Sequence, residues 1–418
     1  MLALRSASTR RAPYVQLVDV APTALDLLDV PVPASMTGQP WRSVGEPPTP
    51  QDLSDRALLA QEHKRVTVPF FVVLLAGELL LVAALWRRRR ELAEQVALGG
   101  VVALGASYLA NLVPWWRSPA PLLTLLAVVL VLATAVVALI FRIWSPTRRA
   151  SRPDAEDQRR IVGAAGAACG FTAAVLVVDL LTGAHLQMSS VAGYSPLVAG
   201  RFAGIGNVAF GVLAAAALLA AAVAGRRWVL PLGALVVLVD GAPMWGSDVG
   251  GVLALVPAFV LLALLLSGRR VSLLRLASAG LAGAAVVTAL ALADWSRPPQ
   301  DRTHLGRFVQ DVADGTAGTL LRRKADAVLG LLFASPLTAL LPVVVMLAVF
   351  LLVRPPRALE QALRAAPQWR AGLLATALAS AVGFAANDSG AAVPAMALTV
   401  AVPATLAVVL RHRATLRC

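Results

Sequence analysis

The stretch VTVPFFVVLLAGELLLVAALWRRRR, residues 66–90, decides the fold class. Its first 21 residues contain a single charged side chain, Glu78, and four consecutive arginines follow them. An apolar run of about 20 residues can cross the hydrocarbon core of a bilayer, and arginines beside such a run are typical of the cytoplasmic side. The stretch therefore predicts a membrane-spanning helix that ends in the cytoplasm.

Ten further apolar stretches follow it, so the sequence predicts an all-α polytopic membrane protein with about 11 transmembrane helices. Of the 418 residues, 58% are hydrophobic and 14% are charged. A soluble protein of this length cannot bury that much apolar surface, which makes the lipid bilayer the expected partner. The predicted spans are 66–86, 95–115, 121–143, 161–183, 206–225, 228–242, 249–267, 272–293, 329–353, 371–386 and 391–410.

Arginine-rich loops predict the orientation of the chain. Alternate loops carry 22 basic residues and six acids, a net charge of +16, whereas the rest of the chain sums to −2. The positive-inside tendency therefore places the N-terminus outside and the C-terminus in the cytoplasm, as in a multi-pass protein of the plasma membrane. The formal net charge of +14 is thus explained by topology, and we expect no nucleic acid as a partner.

Residues 1–65 precede the first span and are predicted to form an extracytoplasmic tail, separate from the multi-helix transmembrane domain at 66–418. Within the tail, VDVAPTALDLLDVPVPASMTGQPW at 18–41 has the pattern of a short helix followed by a turn. Asp19 can cap this helix, Pro22 suits its first turn, and Gly38 permits a tight turn after it. The tail is too short and too weakly periodic to predict an independent core.

This stretch resembles the C-terminal signature of alkaline-phosphatase-superfamily domains, which include sulfatases and phosphoethanolamine transferases. In that family a helix of this pattern is followed by an M-x-G turn before the last strand. Asp29 stands where the family often has glycine. The matching residues are Asp19, Pro22, Thr23, Leu25, Leu28, Pro33, Met36 and Gly38.

The resemblance implies that the tail is a short remnant of an extracytoplasmic α/β domain of the phosphatase type. The family's nucleophile and its metal-binding Asp and His residues lie upstream of this signature, so the chain contains none of them. We therefore expect a missing N-terminal phosphatase-like domain.

Four polar segments fall on the predicted outer side, between apolar spans. They are RFAGIGN at 201–207, DGAPMWGSDVGG at 240–251, DWSRPPQDRTHLGRF at 294–308 and NDSG at 387–390. A charge at a membrane boundary is costly enough to need a structural or functional reason. Because the four segments share one face, we expect them to form a polar pocket there.

The residue types in these segments indicate two roles. Carboxylates can coordinate a divalent cation through oxygen or act as acid and base, so the candidate catalytic residues are Asp240, Asp248, Asp388 and His304. Guanidinium and amide groups can bind a phosphate or pyrophosphate headgroup, so the candidate substrate-binding residues are Arg201, Asn207, Arg302, Arg307 and Asn387. The alternative is an Asp–Arg network that only holds the helix ends together.

Glu78 is a separate candidate, because it lies in the middle of the first span. Intramembrane carboxylates often belong to transport or proton pathways. A neutral, hydrogen-bonded Glu78 that pairs with Ser107, Tyr108 or Asn111 of the second span is an equal alternative.

The sequence thus supports three functions. The first is the membrane part of a phosphatase-like or phosphotransferase-like enzyme that acts on a lipid-linked or cell-envelope phosphorylated substrate. The second is a transporter or lipid flippase, although internal repeats and several mid-depth polar residues, which this class usually shows, are not evident. The third is a non-catalytic membrane anchor or assembly partner.

Overall fold

A computed structural model describes residues 3–33, 36, 38–144, 153–198, 201–298, 302–315, 318, 350, 354–387 and 391–415. Within these ranges only the backbone is described at residues 78, 82, 86, 153–160, 304 and 414–415. The predicted span 329–353 therefore lies almost entirely outside the described residues.

The described chain is mostly helical. Its helices are α1 (Val20–Leu27), α2 (Pro50–Trp86), α3 (Arg90–Leu109), α4 (Pro121–Ile143), α5 (Pro153–Leu181), α6 (Asn207–Ala224), α7 (Arg226–Gly241), α8 (Val249–Leu266), α9 (Leu273–Trp295), α10 (His304–Ala313), α11 (Arg357–Ala365), α12 (Pro367–Ala386) and α13 (Ala392–Thr415). Among the described residues, nine of these helices are long and apolar enough to cross a membrane. They are α2, α3, α4, α5, α6, α8, α9, α12 and α13. The chain is a multi-pass helical membrane protein.

The helix bounds agree with the predicted spans where a helix-starting or charged residue marks each end of the apolar run. The prediction of 121–143 coincides with α4, which begins at Pro121 and has Arg142 in its last turn. The predicted sixth span corresponds to α7, a helix of 16 residues. By contrast α2 begins at Pro50, well before the predicted start at 66, because Thr49 and Asp52 form a capping box at its N-terminus. This helix is continuous across the predicted domain boundary at residue 65.

Helix α6 lies at the centre of the bundle and packs against α5, α12 and α13. Its most apolar stretch is 72% buried inside the protein, compared with 17% for α9. Small side chains permit this packing. A Cβ atom at Gly166 of α5 would lie 2.7 Å from Val223 of α6, so these two helices approach closely, as their small residues predicted.

Residues of the predicted cytoplasmic loops meet at one end of the bundle. The Nε atom of Arg411, near the end of α13, donates to Glu94 of α3 over 2.6 Å, and Nη1 donates to the carbonyl of Trp144 over 3.0 Å. Arg411 is buried, so this ion pair joins α3 and α13 away from solvent. The predicted outer loops meet at the other end, where residues 3–44 also lie, and we call it the tail end. That the tail end faces outward stays a prediction.

The tail has a small fold of its own. Strands β1 (Ala3–Ser6) and β2 (Trp41–Val44) pair in antiparallel register, with Arg5 opposite Arg42, and α1 lies between them in the chain. A Cβ atom at Gly38 would lie 1.9 Å from the carbonyl oxygen of Val18, so only glycine permits this close turn. The interpretation of the tail as a remnant of a larger α/β domain stays a prediction.

Asp19 organises the tail in a different way from the predicted helix cap. It precedes α1, but its side chain makes no capping hydrogen bond. Instead its buried carboxylate accepts from Ser6 Oγ over 2.7 Å, Ser8 Oγ over 2.6 Å, and the backbone amides of Gln16 and Gln39, both over 2.9 Å. One side chain therefore joins β1, the approach to α1 and the approach to β2.

We expect Asp19→Ala to destabilise the tail by about 3 kcal/mol or more. Hydrogen bonds to a charged group contribute about 1.5–3 kcal/mol each, and the substitution leaves several buried donors without an acceptor. Limited proteolysis of the tail in the detergent-solubilised protein measures the effect. The exposed Asp26→Ala is the control and should leave the cleavage rate unchanged; equal rates for the two variants would contradict the assignment.

We also expect the two ends of the bundle to lie on opposite sides of the membrane. In a Cys418→Ser background, a membrane-impermeant maleimide should label Met244→Cys at the tail end in intact cells. It should label Arg269→Cys only after permeabilisation, since Arg269 lies in an arginine-rich loop. The reverse pattern would invert the orientation.

Candidate functional site

A cavity of about 600 Å³ lies between the tail and the tail end of the bundle. Its wall comes from the tail, the segments around residues 183–185 and 203–204, the connection 243–245 between α7 and α8, and Arg297, Arg302 and Thr303 after α9. Among the described lining residues none is acidic, and His185 is a further titratable group. The positively charged lining residues are Arg5, Arg10, Arg11, Arg42, Arg297 and Arg302.

Two of these arginines attach the tail to the bundle. Arg10 donates to the Ser247 hydroxyl over 3.2 Å and to the carbonyl of Pro243. Arg11 donates to the carbonyl of Ala184 over 3.0 Å and to that of Gly183. Burial lowers the pKa of Arg10 to about 10, so its guanidinium remains charged at neutral pH. The attachment uses neutral acceptors, so the positive charge of both arginines persists.

Arg302 and Arg297 belong to the opposite wall, after α9. Arg302 lies over the ring of Trp295, 5.7 Å from its centroid, and donates to the carbonyl of Arg297 over 2.9 Å. Arg297 in turn donates to Asp294 over 3.2 Å. Stacking and hydrogen bonding thus hold the guanidinium of Arg302 at the edge of the cavity.

Asp294 positions this wall. Its buried Oδ2 atom accepts from the backbone amide of Thr303 over 2.8 Å, the Thr303 hydroxyl over 2.7 Å and the amide of Gly306 over 2.8 Å. These bonds fix the start of α10 against the end of α9. Sequence reasoning placed Asp294 in a polar segment but assigned it no role; its role is structural.

Asp240 and Asp248 come together, as predicted, at the connection between α7 and α8. Both are buried, with 0% and 3% of their surface exposed. A Cβ atom at Gly251 would lie 2.1 Å from Oδ2 of Asp240 and 2.9 Å from Oδ2 of Asp248, so both carboxylates face the same point. The amide of Asp248 also donates to the carbonyl of Asp240 over 3.0 Å, which closes the connection.

Asn387 joins this pair from the end of α12. Its Nδ2 atom donates to the carbonyl of Gly383 over 3.1 Å, and its Oδ1 atom faces Gly250, 2.2 Å from where a Cβ atom would stand. The second and fourth polar segments therefore meet, as the sequence predicted. Asp388 lies outside the described residues, and its place in this cluster stays a prediction.

The predicted substrate-binding residues lie in different surroundings at the tail end. Arg201 interacts electrostatically with Asp240, yet its nearest recorded acceptor is the carbonyl of Gly246, 3.5 Å from Nη1. Arg307 on α10 is half-buried, and the loss of hydration lowers its pKa; it interacts with Asp294 and with Asp19 of the tail. Asn207 is the first residue of α6. The side chains of His304 and Glu78 lie outside the described set.

Among the described residues no arginine hydrogen-bonds to Asp240, and the alternative of an Asp–Arg network that only holds the helix ends together stays a prediction. Neither carboxylate oxygen of Asp240 has a hydrogen-bond partner in the described part of the chain. The GIGN segment also uses its backbone internally, since the amide of Ile205 donates to the carbonyl of Gly246 over 2.9 Å. Gly204, with φ +76°, permits this contact because a Cβ atom there would lie 2.1 Å from the same oxygen.

Asp179, at the end of α5, stabilises a loop. Its carboxylate accepts from the amide of Leu186 over 2.7 Å and from Gln187 Nε2 over 3.2 Å. Tyr108 of α3 and Asn111, just after α3, donate to carbonyls in the same loop, at Ala192 and Leu186 respectively. These contacts give both side chains a role at the loop, and the proposed pairing with Glu78 stays a prediction.

The sequence analysis did not include the tail arginines among the candidate site residues. The signal that could have found them is their charge, because a segment predicted to be exported carries Arg5, Arg10, Arg11 and Arg42 against the positive-inside tendency. Arginines in such a segment indicate a local need for positive charge.

Comparison with protein-family models, curated proteins and solved structures found no significant match to this chain. The site is therefore interpreted from its own geometry and charge.

We expect the cavity to bind sulfate more tightly as the pH falls from about 8 to about 5. Burial, together with Arg11, lowers the pKa of His185, so this histidine is neutral at pH 7 and gains a proton only in acid. The added charge should raise sulfate affinity about fivefold, since sulfate keeps its own charge over this range. Titration of sulfate at both pH values measures it, and His185→Gln should remove most of the difference. A gain that persists in this variant would contradict the role of His185.

Proposed function

We propose that this protein is the membrane part of a phosphatase-like or phosphotransferase-like enzyme that acts outside the plasma membrane on a phosphorylated, lipid-linked or cell-envelope substrate. The observation that carries the proposal is the cavity at the tail end, whose charged side chains are arginines from both the tail and the loops of the bundle. Its volume falls in the range of about 300–1,000 Å³ that is usual for small-molecule sites.

The choice of residue supports a phosphate group as the ligand. Arginine presents a planar set of donors that matches phosphate oxygens in pairs, and it stays charged even when partly buried. A cavity with this many guanidinium groups repels itself when empty. An anion with several oxygen acceptors relieves the repulsion and satisfies the donors together.

The pairing of β1 and β2 gives the strongest single argument. Arg5 and Arg42 stand directly opposite each other in the register, and both line the cavity. Like charges in such a cross-strand position destabilise a sheet by about 0.2–1 kcal/mol. A ligand that bridges the two guanidinium groups would offset this cost.

The position of the cavity supports a lipid-linked substrate. The cavity lies where helices of the bundle end, and lipid headgroups occupy that depth. Met244 in its wall is 65% exposed, and α9 beside it presents most of its apolar surface outward. A phosphate headgroup can thus occupy the cavity while its hydrocarbon chain lies along the bundle.

The acidic residues complete the proposed site. Asp240 and Asp248 lie at the two ends of the connection that forms one wall, and we assign them, with Asp388 and His304, to the chemistry of the site. The resemblance of the tail supports a phosphatase-type domain upstream as the source of the nucleophile.

Arg42→Thr tests this proposal through two effects of opposite sign. We expect it to weaken binding of inorganic phosphate about tenfold or more, since a hydrogen bond to a charged group contributes about 1.5–3 kcal/mol. We also expect the ligand-free tail to gain about 0.5 kcal/mol in stability, because a like-charge pair is removed. Calorimetric titration and limited proteolysis of the protein in nanodiscs measure the two quantities.

The matched control is Arg269→Gln, an exposed arginine at the other end of the bundle, which should alter neither quantity. A phosphorylated polyprenyl lipid in the nanodisc should compete with inorganic phosphate in the unsubstituted protein. Unchanged phosphate affinity in Arg42→Thr, or an equal loss in Arg269→Gln, would contradict the proposal.

A further inference from the structure

Asp240 is the most unusual buried group among the described residues. It occupies the last turn of α7, its side chain is fully inaccessible to solvent, and both carboxylate oxygens lack a hydrogen-bond partner among the described residues. Buried carboxylates are normally paired, hydrogen-bonded or bound to a metal. A carboxylate of this kind indicates a ligand that the described protein atoms do not supply.

Asp248 directs a second carboxylate to the same place. It occupies the position before α8. Its Oδ2 atom approaches the point beside Gly251 that Oδ2 of Asp240 also approaches. Two carboxylates that converge in a buried position repel each other unless a proton or a cation lies between them.

Asn387 supplies a third oxygen from a third element. Its amide nitrogen is used by Gly383, which leaves Oδ1 turned toward Gly250. The oxygens of all three side chains therefore crowd the adjacent glycines Gly250 and Gly251, in the first turn of α8. The absence of Cβ atoms at these two positions makes the approach possible.

The donor set selects the class of cation. All three groups offer oxygen, and the described residues contain no group of three or more His, Cys, Asp and Glu side chains placed to hold a metal ion. Carboxylate and amide oxygens suit hard cations such as Mg²⁺ and Ca²⁺, whereas zinc and copper favour nitrogen and sulfur. Two carboxylates also balance the charge of one divalent ion.

We propose that Asp240, Asp248 and Asn387 bind a divalent cation, Mg²⁺ or Ca²⁺, between the ends of α7 and α12 and the start of α8. The ion neutralises the two buried carboxylates and holds three helices together at the tail end. Water completes its coordination, as is usual for these ions. None of the three residues lines the arginine-lined cavity, but the connection that joins Asp240 to Asp248 forms part of its wall.

Metal titration of the full chain in nanodiscs, after removal of metal with a chelator, tests the proposal. Mn²⁺ binding followed by electron paramagnetic resonance should be saturable, and Mg²⁺ and Ca²⁺ should each displace Mn²⁺, the tighter of the two identifying the natural ion. Asp240→Asn and Asp248→Asn should each weaken Mn²⁺ binding at least about 100-fold, because removal of an outer partner alone costs about 10- to 100-fold. Asn387→Ala should weaken it about tenfold, and the exposed Asp314→Asn should leave it unchanged.

Thermal unfolding distinguishes loss of the site from loss of the fold. Without metal, Asp240→Asn should unfold at the same temperature as the unsubstituted protein or above it, because the substitution removes a like-charge pair. With metal, only the unsubstituted protein and Asp314→Asn should gain stability.

Two results would overturn the proposal. One is saturable Mn²⁺ binding that survives Asp240→Asn. The other is a stability that depends on pH but is unaffected by metal, which would show a shared proton in place of the ion. Phosphate binding by the arginines is measured separately, so the cation site and the proposed function can each be contradicted without the other.

Discussion

The attachment of the tail to the bundle depends on arginines that donate to neutral acceptors. Arg10 and Arg11 bond to the connections after α7 and α5, through three backbone carbonyls and one hydroxyl, and they close the cavity by doing so. Because these acceptors do not cancel the positive charge, the bonds that attach the tail also gather positive charge at the cavity. A salt-bridged tail of the same shape would have enclosed a neutral space.

Charged groups of both signs gather at the tail end, in different surroundings. Arginines line the cavity, Asp240 and Asp248 are buried at the two ends of the connection between α7 and α8, and Asp294 holds the start of α10 while it also accepts from Arg297. Lipid surrounds much of the bundle, so polar groups are tolerated mainly where helices end. The two proposed sites therefore occupy the part of the protein where the cost of polar groups is lowest.

The sequence predicted those features that depend on composition over a window of residues. The helix α4 could be placed because its apolar run is bounded by Pro121 and Arg142. We expected Asp240, Asp248 and Asn387 to lie close together because their segments fall on the same predicted side of the membrane. The start of α2 was missed because a capping box extends a helix through a polar sequence that has no apolar period. The predicted side of the membrane indicates which segments lie at the same end of the bundle, but it does not indicate which of their atoms are in contact.

The contacts made by the tail could not be predicted from the sequence, for a physical reason. Arg10 bonds to Ser247 across more than half of the chain, and no local pattern signals a contact of that separation. Asp19 was expected to cap α1 because its local sequence is that of a cap, yet Ser6 and Gln39, distant in the chain, provide its donors. Donors from distant parts of the chain, and not the first turn of α1, bind the carboxylate of Asp19.

The facing arginines of β1 and β2 couple occupancy of the cavity to the folding of the tail. Any anion that neutralises Arg5 and Arg42 binds the folded strands and not the separated ones, so mass action makes it a stabiliser of the tail. The linkage is reciprocal, because whatever detaches the strands also releases the anion. Pairing of the two strands would therefore depend on whether the cavity contains an anion.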